Sequence, residues 1–281
     1  MIVAYKSLLT VVTQLDGMDT TLAAAVRLAS SYDAHLEVLC LAAEQTAIGY
    51  DYMGANGALI QQMIDAAREK AAALETTARA HLAAQDIRWS VESSSVPAGG
   101  LTEAVAEYAR FSDLVVQPKP YAKTESTEIE AAIEAALFDA RVPVLVLPDG
   151  KISDLPGKRI VVAWNQSNEA MAAIRAAMPL LKSAELVTVM IVDPAKLRGE
   201  RSDPGGALSQ MLSRHGVTAE VTVLAKTLPR FCDMLNRHAR DRSADMVVMG
   251  AYGHSRLRES ILGGATRGML EQAEIPVFMA H

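Results

Sequence analysis

Short runs of consecutive apolar residues alternate along this chain with longer segments whose apolar positions recur every three or four residues, the periods of buried strands and amphipathic helices. "LLTVVT" (8–13) and "LEVLCL" (36–41) read as buried strands, with "TLAAAVRLASSY" between them as a helix. An alanine-rich stretch from Ala58 to Ala84 predicts a long helix. "IRWSVES" follows as strand, "LTEAVAEYARF" as helix, "DLVVQ" as strand, "EIEAAIEAALFDA" as helix and "PVLVLP" as strand. After "DGKISDLPGK", rich in the residues that mark linkers, the order returns as "RIVVAW", "NEAMAAIRAAMPLLK", "ELVTVMIV", "AEVTVLA", "LPRFCDMLNRHARD", "ADMVVMG", "GATRGMLEQA" and "IPVFMA".

The two halves also match residue by residue. "SDLVVQ" (112–117) aligns with "ADMVVM" (244–249), and "VPVLVLP" (142–148) with "IPVFMAH" (275–281), at offsets of 132 and 133 residues. A repeat this long is a domain duplication, because solenoid repeats are shorter. Strands that alternate with helices are joined by right-handed crossovers and lie parallel. The expected fold is α/β: two tandem, doubly wound, parallel five-stranded sheets flanked by helices. The expected domains are residues 1–150 and 157–281, and ligands of such sheets sit outside the carboxyl ends of the strands.

Composition narrows the function classes. The 281 residues are 50% hydrophobic but only 5% aromatic, which suits short buried strands covered by alanine-rich helices. A formal net charge of -6, with no basic block, leaves no electrostatic footprint for nucleic acid. No apolar run approaches the roughly 20 residues that span a bilayer. "IVAYKSLLTVV" after Met1 reads as a first strand and not a signal peptide. Cys40 and Cys232 show neither CxxC spacing nor grouping with histidines of the zinc type, so neither a disulfide nor a structural metal is expected. A cytoplasmic protein fits these features.

The candidate chemistry lies in "MGAYGHSRLRESILGGATRGML" (249–270). Gly250 follows the strand "DMVVM", and Gly264 opens the next helix. Main-chain N–H groups converge on phosphate where no Cβ blocks the approach, and a helix N-terminus adds a favourable field for negative charge. Taken alone, the same glycines also suit a plain turn followed by a helix cap.

The spacing Gly250-x2-Gly253-x9-Gly263, continued by "GATRGMLEQAEIPVFMAH", resembles the universal stress protein family. Through the internal repeat, the whole chain resembles a tandem universal stress protein. The resemblance implies a Rossmann-like, adenine nucleotide alpha-hydrolase-like fold. It also implies a stress-response protein whose second half binds ATP or another adenine nucleotide, with phosphates able to bring Mg²⁺. Family members that bind ATP use this loop for ribose and phosphates, and the ends of their first two strands for adenine. Carried over, the loop becomes Gly250, Gly253, Gly263, Gly264 and Ala265, with Met249 beside base or ribose. Ala163 and Asn165 stand at the end of the half's first strand and Ile191 at the end of its second. Two positions depart from the family pattern: Asn165 replaces a carboxylate, and Gly264 replaces a Ser or Thr, losing the hydroxyl but keeping the N–H, with Thr266 a substitute only if its side chain faces the loop.

In the first half the equivalent loop, "QPKPYAKTESTEIEAA" from Gln117, has no glycine, and Pro118 and Pro120 cannot donate main-chain hydrogen bonds. That half is expected to lack the phosphate cradle. His254 is a candidate general base, although a lone loop histidine is more often solvated. Arg256, Arg258 and Arg267 can lean toward phosphate or simply face solvent. "GYDYMGANG" (49–57) suits a lid or an ordinary connection. Three functions stay open: a nucleotide-binding module acting through ligand-linked interactions with a protein partner, a slow ATPase, and an interaction protein that binds no nucleotide. The two halves are expected to form an intramolecular pseudo-dimer, with a further homodimer as an extension; membranes and nucleic acids are not expected partners.

Overall fold

A computed structural model describes residues 5–44, 57–121, 126–150, 156–193, 203–251 and 264–281. The apolar runs become strands buried on both faces. In β1 (Ser7–Val12) every residue after the first is buried, and β9 (Met246–Gly250) and β10 (Val277–Ala280) are similar. This is the pattern of a parallel sheet covered by helices on each side.

Two compact units are present. The first comprises Tyr5–Pro120 and Ser126–Val142; the second is chiefly Pro143–His281. In the first, β1 pairs in parallel with β2 (His35–Ala43) and β4 (Leu114–Pro118), and β2 pairs in parallel with β3 (Arg88–Val96). The connecting helices are α1 (Met18–Tyr32), α2 (Gly57–Leu82) and α3 (Leu101–Ala109). After β4 comes α4 (Thr127–Glu134), capped by Ser126, whose Oγ accepts the Ile129 N–H. A single π-helical turn, Ala135–Asp139, then ends the segment that the sequence pattern reads as one helix.

In the second unit, β6 (Arg159–Ala163) pairs in parallel with β7 (Leu186–Val192) and β9. β7 pairs in parallel with β8 (Ala219–Leu224), and β9 with β10. β5 (Val144–Leu147), the last strand of the first sequence half, packs within this second unit and runs antiparallel to β10, with Val146 opposite Val277. The helices are α5 (Asn168–Ala176), α6 (Met178–Ser183), α7 (Gly206–Arg214), α8 (Phe231–Asp241) and α9 (Gly264–Gln272). "NEAMAAIRAAMPLLK" is two helices, because Pro179, without an N–H, starts a new one just after Ala177. α7 is absent from the sequence reading. It buries only Leu208 and Leu212, an i,i+4 pair too sparse to stand out as a pattern.

The internal repeat has a structural counterpart. Asp113 accepts the main-chain N–H groups of Lys6 and Ser7 at the start of β1, at 2.6 and 3.0 Å. Asp245, 132 positions later, accepts those of Gly157, Lys158 and Arg159 at 3.0–3.1 Å before β6. In each unit one carboxylate satisfies the open N–H groups where the central strand begins. The carboxyl ends of the strands stay free for other use.

Candidate functional site

In the second unit, the last residues of neighbouring strands and the start of α9 enclose a cavity of about 580 Å³. That lies within the roughly 300–1,000 Å³ range of small-molecule sites. Six residues singled out from the sequence come together there: Ala163, Asn165, Met249, Gly250, Gly264 and Ala265. Thr266 is also on the wall, 3% exposed. Gly253 and Gly263 lie outside the described residues, as do His254, Arg256, Arg258 and the 49–56 segment.

The two described glycines differ in what requires them. A Cβ on Gly264, where α9 begins, would meet none of the described residues within 4 Å. A Cβ on Gly250 would lie 2.5 Å from the Ala170 nitrogen and 2.6 Å from the Glu169 carbonyl carbon. Gly250 therefore lets the first turn of α5 rest directly on the end of β9. Ser167 caps that turn, its Oγ accepting the Ala170 N–H at 3.1 Å.

Asn165 leaves the end of β6 and folds back on its own chain. Its Oδ1 accepts the Ser167 N–H at 3.1 Å, an Asx turn, and the intervening Gln166 takes φ 65°. The turn fixes the amide's orientation and leaves the Nδ2 donor and the second lone pair of Oδ1 for other partners.

Ile191 departs from the expectation. Its side chain is buried on the sheet and directed toward Gly205, where an added Cβ would lie 3.2 Å from Ile191 Cδ1. The wall is lined instead by Val192, at the end of β7, and by Asp193, where the chain leaves the strand with φ 40° and its N–H bonds Leu224 O at 3.0 Å. Arg267 is also turned elsewhere: its Nε pairs with Glu271 at 2.7 Å and its guanidinium sits over the Tyr121 ring.

Sequence reasoning missed Trp164, Asp193, Lys226, Phe231 and Met234, all on the wall. The first three directly follow or closely trail a strand, so the rule that ligands lie at carboxyl ends was the signal available for them. Trp164 is held by its indole N–H, which donates to Pro204 O at 3.3 Å and ties β6 to the segment before α7. Behind Phe231 and Met234, Cys232 is fully buried, and a Cβ on Gly268 of α9 would lie 2.6 Å from its Sγ. Burial raises the Cys232 thiol above its ordinary range and keeps it neutral.

At the corresponding edge of the first unit the space is about 20 Å³, lined by residues that include Val11, Thr13, Gln14 and Pro118. Gln117, at the repeat position of Met249, is completely buried, and neither amide atom has a partner among the described residues.

Residues 157–281 match the family model described as the universal stress protein family. Over 72 residues the chain is 32% identical to a universal stress protein of Synechocystis sp. (strain ATCC 27184 / PCC 6803 / Kazusa). That stretch is 26% of this chain and spans about a quarter of the curated relative's length, 24%. The crystal structure of a universal stress protein from Archaeoglobus fulgidus DSM 4304 superposes with TM-score 0.71 at 16% identity, covering 98% of this chain and 96% of that one. A functionally unknown protein from Pseudomonas aeruginosa PAO1 gives TM-score 0.58 at 15% identity, covering 99% and 92%. At such identities the likeness is one of fold, and it extends over both halves. No helix among the described residues is long and apolar enough to cross a membrane.

Proposed function

We propose that the cavity of residues 157–281, the stretch that matches the universal stress protein family model, binds a purine nucleoside phosphate. Adenine is the base that the family resemblance names. The observation that carries the reading is a nucleotide-sized cavity at the carboxyl ends of the strands with the start of α9 on its wall, where a Cβ on Gly264 would meet none of the described residues within 4 Å. N–H groups there suit phosphate oxygens, and the helix dipole favours their charge. The walls of Met249, Trp164, Phe231 and Met234 suit a flat apolar ring. Mg²⁺ would arrive with the phosphates. The response follows from linkage: a ligand that contacts one state of the protein better than another shifts the balance toward it, and with it the affinity for a protein partner. The tandem halves act as an intramolecular pseudo-dimer that presents this response in a cytoplasmic stress protein.

The test is calorimetric titration of the full chain with ATP, GTP and their unphosphorylated nucleosides, each with Mg²⁺. Binding is expected for the triphosphates and much weaker binding for the nucleosides. Emission from Trp164, read in a Trp89→Phe background, places the ligand at this cavity. Absence of heat and of any emission change with both triphosphates would discard the reading.

A further inference from the structure

Thr13 and Gln117 are buried polar side chains at the carboxyl end of the first unit's sheet. Thr13 is 3% exposed and Gln117 completely buried, and neither the Thr13 hydroxyl nor either Gln117 amide atom has a partner among the described residues. Such groups weaken a fold unless something else bonds them. The internal repeat gives both positions a counterpart. Asp113 fixes Ser7 and Asp245 fixes Arg159, which aligns β1 with β6 and sets Thr13 at the position of Asn165. Gln117 matches Met249. Asn165 and Met249 line the cavity of about 580 Å³ in the second unit.

In the first unit Thr13 lines a space of about 20 Å³ with Val11, Gly17 and Pro118, and the exposed Asp16 stands on its wall. Carried on from Leu8–Leu114 and Leu9–Val115, the register of β1 and β4 sets Gln117 opposite Val11. The amide therefore belongs to the strand pair that walls the space. Size and charge select the occupant. The volume admits one water and nothing larger. An anion is opposed by Asp16 and by Asp19 in the first turn of α1. A cation gives the Gln117 Nε2 donor nothing to bond, whereas water both donates and accepts, as a hydroxyl and an amide together require. We propose that the first unit binds one water at the carboxyl end of β1, bridging Thr13 Oγ1 and the Gln117 amide. Positions that line a ligand-sized cavity in the second unit thus form a hydration site in the first. The inference stands apart from the nucleotide reading.

The experiment has two arms. The first is a high-resolution crystal structure of the full chain, wild type and Thr13→Val. A density peak at hydrogen-bond distance from both Thr13 Oγ1 and the Gln117 amide is expected in the wild type and should be missing from the variant. No peak, or one with the short contacts of a metal ion, overturns the inference. The second arm measures urea midpoints of Thr13→Val and Gln117→Met through Trp89 emission in a Trp164→Phe background, since Trp89 lies on β3 of the first unit. Both substitutions nearly conserve volume, and each removes one side of the bridge while leaving the other unbonded. Each midpoint should fall by about 0.3–0.5 M, the share of one hydrogen bond at the usual slope. The double variant should lose less than the sum, because the two groups share one water. Midpoints that rise in both single variants show that these groups had no bond to lose, and losses that simply add show that they share none; either result overturns the inference.

Discussion

Replacing Gly250 with alanine should destabilise the second unit strongly, although the same replacement at Gly264 should not. At Gly250 the new methyl group would stand 2.5 Å from Ala170 N, 2.6 Å from Glu169 C and 2.9 Å from Glu169 Cβ. The two closest are main-chain atoms of α5, so no rotamer change relieves the clash, and the helix must back away by about 1 Å to restore normal contact. Overpacking of this kind costs about 1–3 kcal/mol. The displacement also pulls the Ala170 N–H from Ser167 Oγ, and a lost cap costs about 1 kcal/mol more. The expected penalty is therefore ~2–4 kcal/mol. At Gly264 none of the described residues lies within 4 Å of an added Cβ and φ is not in the left-handed region, so alanine there should leave stability unchanged or raise it by up to about 1 kcal/mol. Urea unfolding, followed by Trp164 emission in a Trp89→Phe background, reports on the unit that holds both glycines. With a slope of about 2–3 kcal/mol per molar urea, the midpoint should fall by about 1 M for Gly250→Ala. Equal midpoints for the two variants would refute the packing argument and return Gly250 to a role in ligand contact alone.

Two further expectations follow from the helix pair α8 and α9. Gly268→Ala should destabilise by about 1–3 kcal/mol through its contact with Cys232 Sγ, and Cys232→Ala in the same chain should recover most of the loss; denaturation midpoints that simply add would contradict the direct contact. His238 is buried with its Nε2 unpartnered among the described residues, and burial, followed by the charge of Arg242, holds its pKa below the ordinary 6.5. The unfolded chain therefore binds this proton more readily. The stability due to neutral His238 is complete above about pH 6.5 and declines as pH falls from there toward the lower folded value. Urea midpoints for wild type and His238→Gln, measured from pH 7.5 to 5, should converge toward acid, and parallel curves would remove His238 as the cause.

The duplication and the alternating elements were legible in the sequence because buried parallel strands and amphipathic helices leave distinct periods, and because both copies retain the aspartate that ties down the central strand, Asp113 and Asp245. The cavity was legible where a residue type carries its own reason, as with glycine at a strand end and a helix start or Asn165 at a strand end. Only the tertiary structure decided the rest. That Val192 and Asp193 line the cavity, and Ile191 does not, depends on where the chain leaves β7, with Asp193 turned to φ 40°. Why Gly250 is glycine depends on α5, 80 positions earlier in the chain, resting on it. β5 reads as the close of the first half, yet it pairs with β10, because a strand's partner is set by which unpaired edge lies beside it and its own sequence says only that it is buried. The orientation of Asn165 belongs to the same class: its side chain could point several ways on paper, and the fold fixes it by placing the Ser167 N–H against its oxygen.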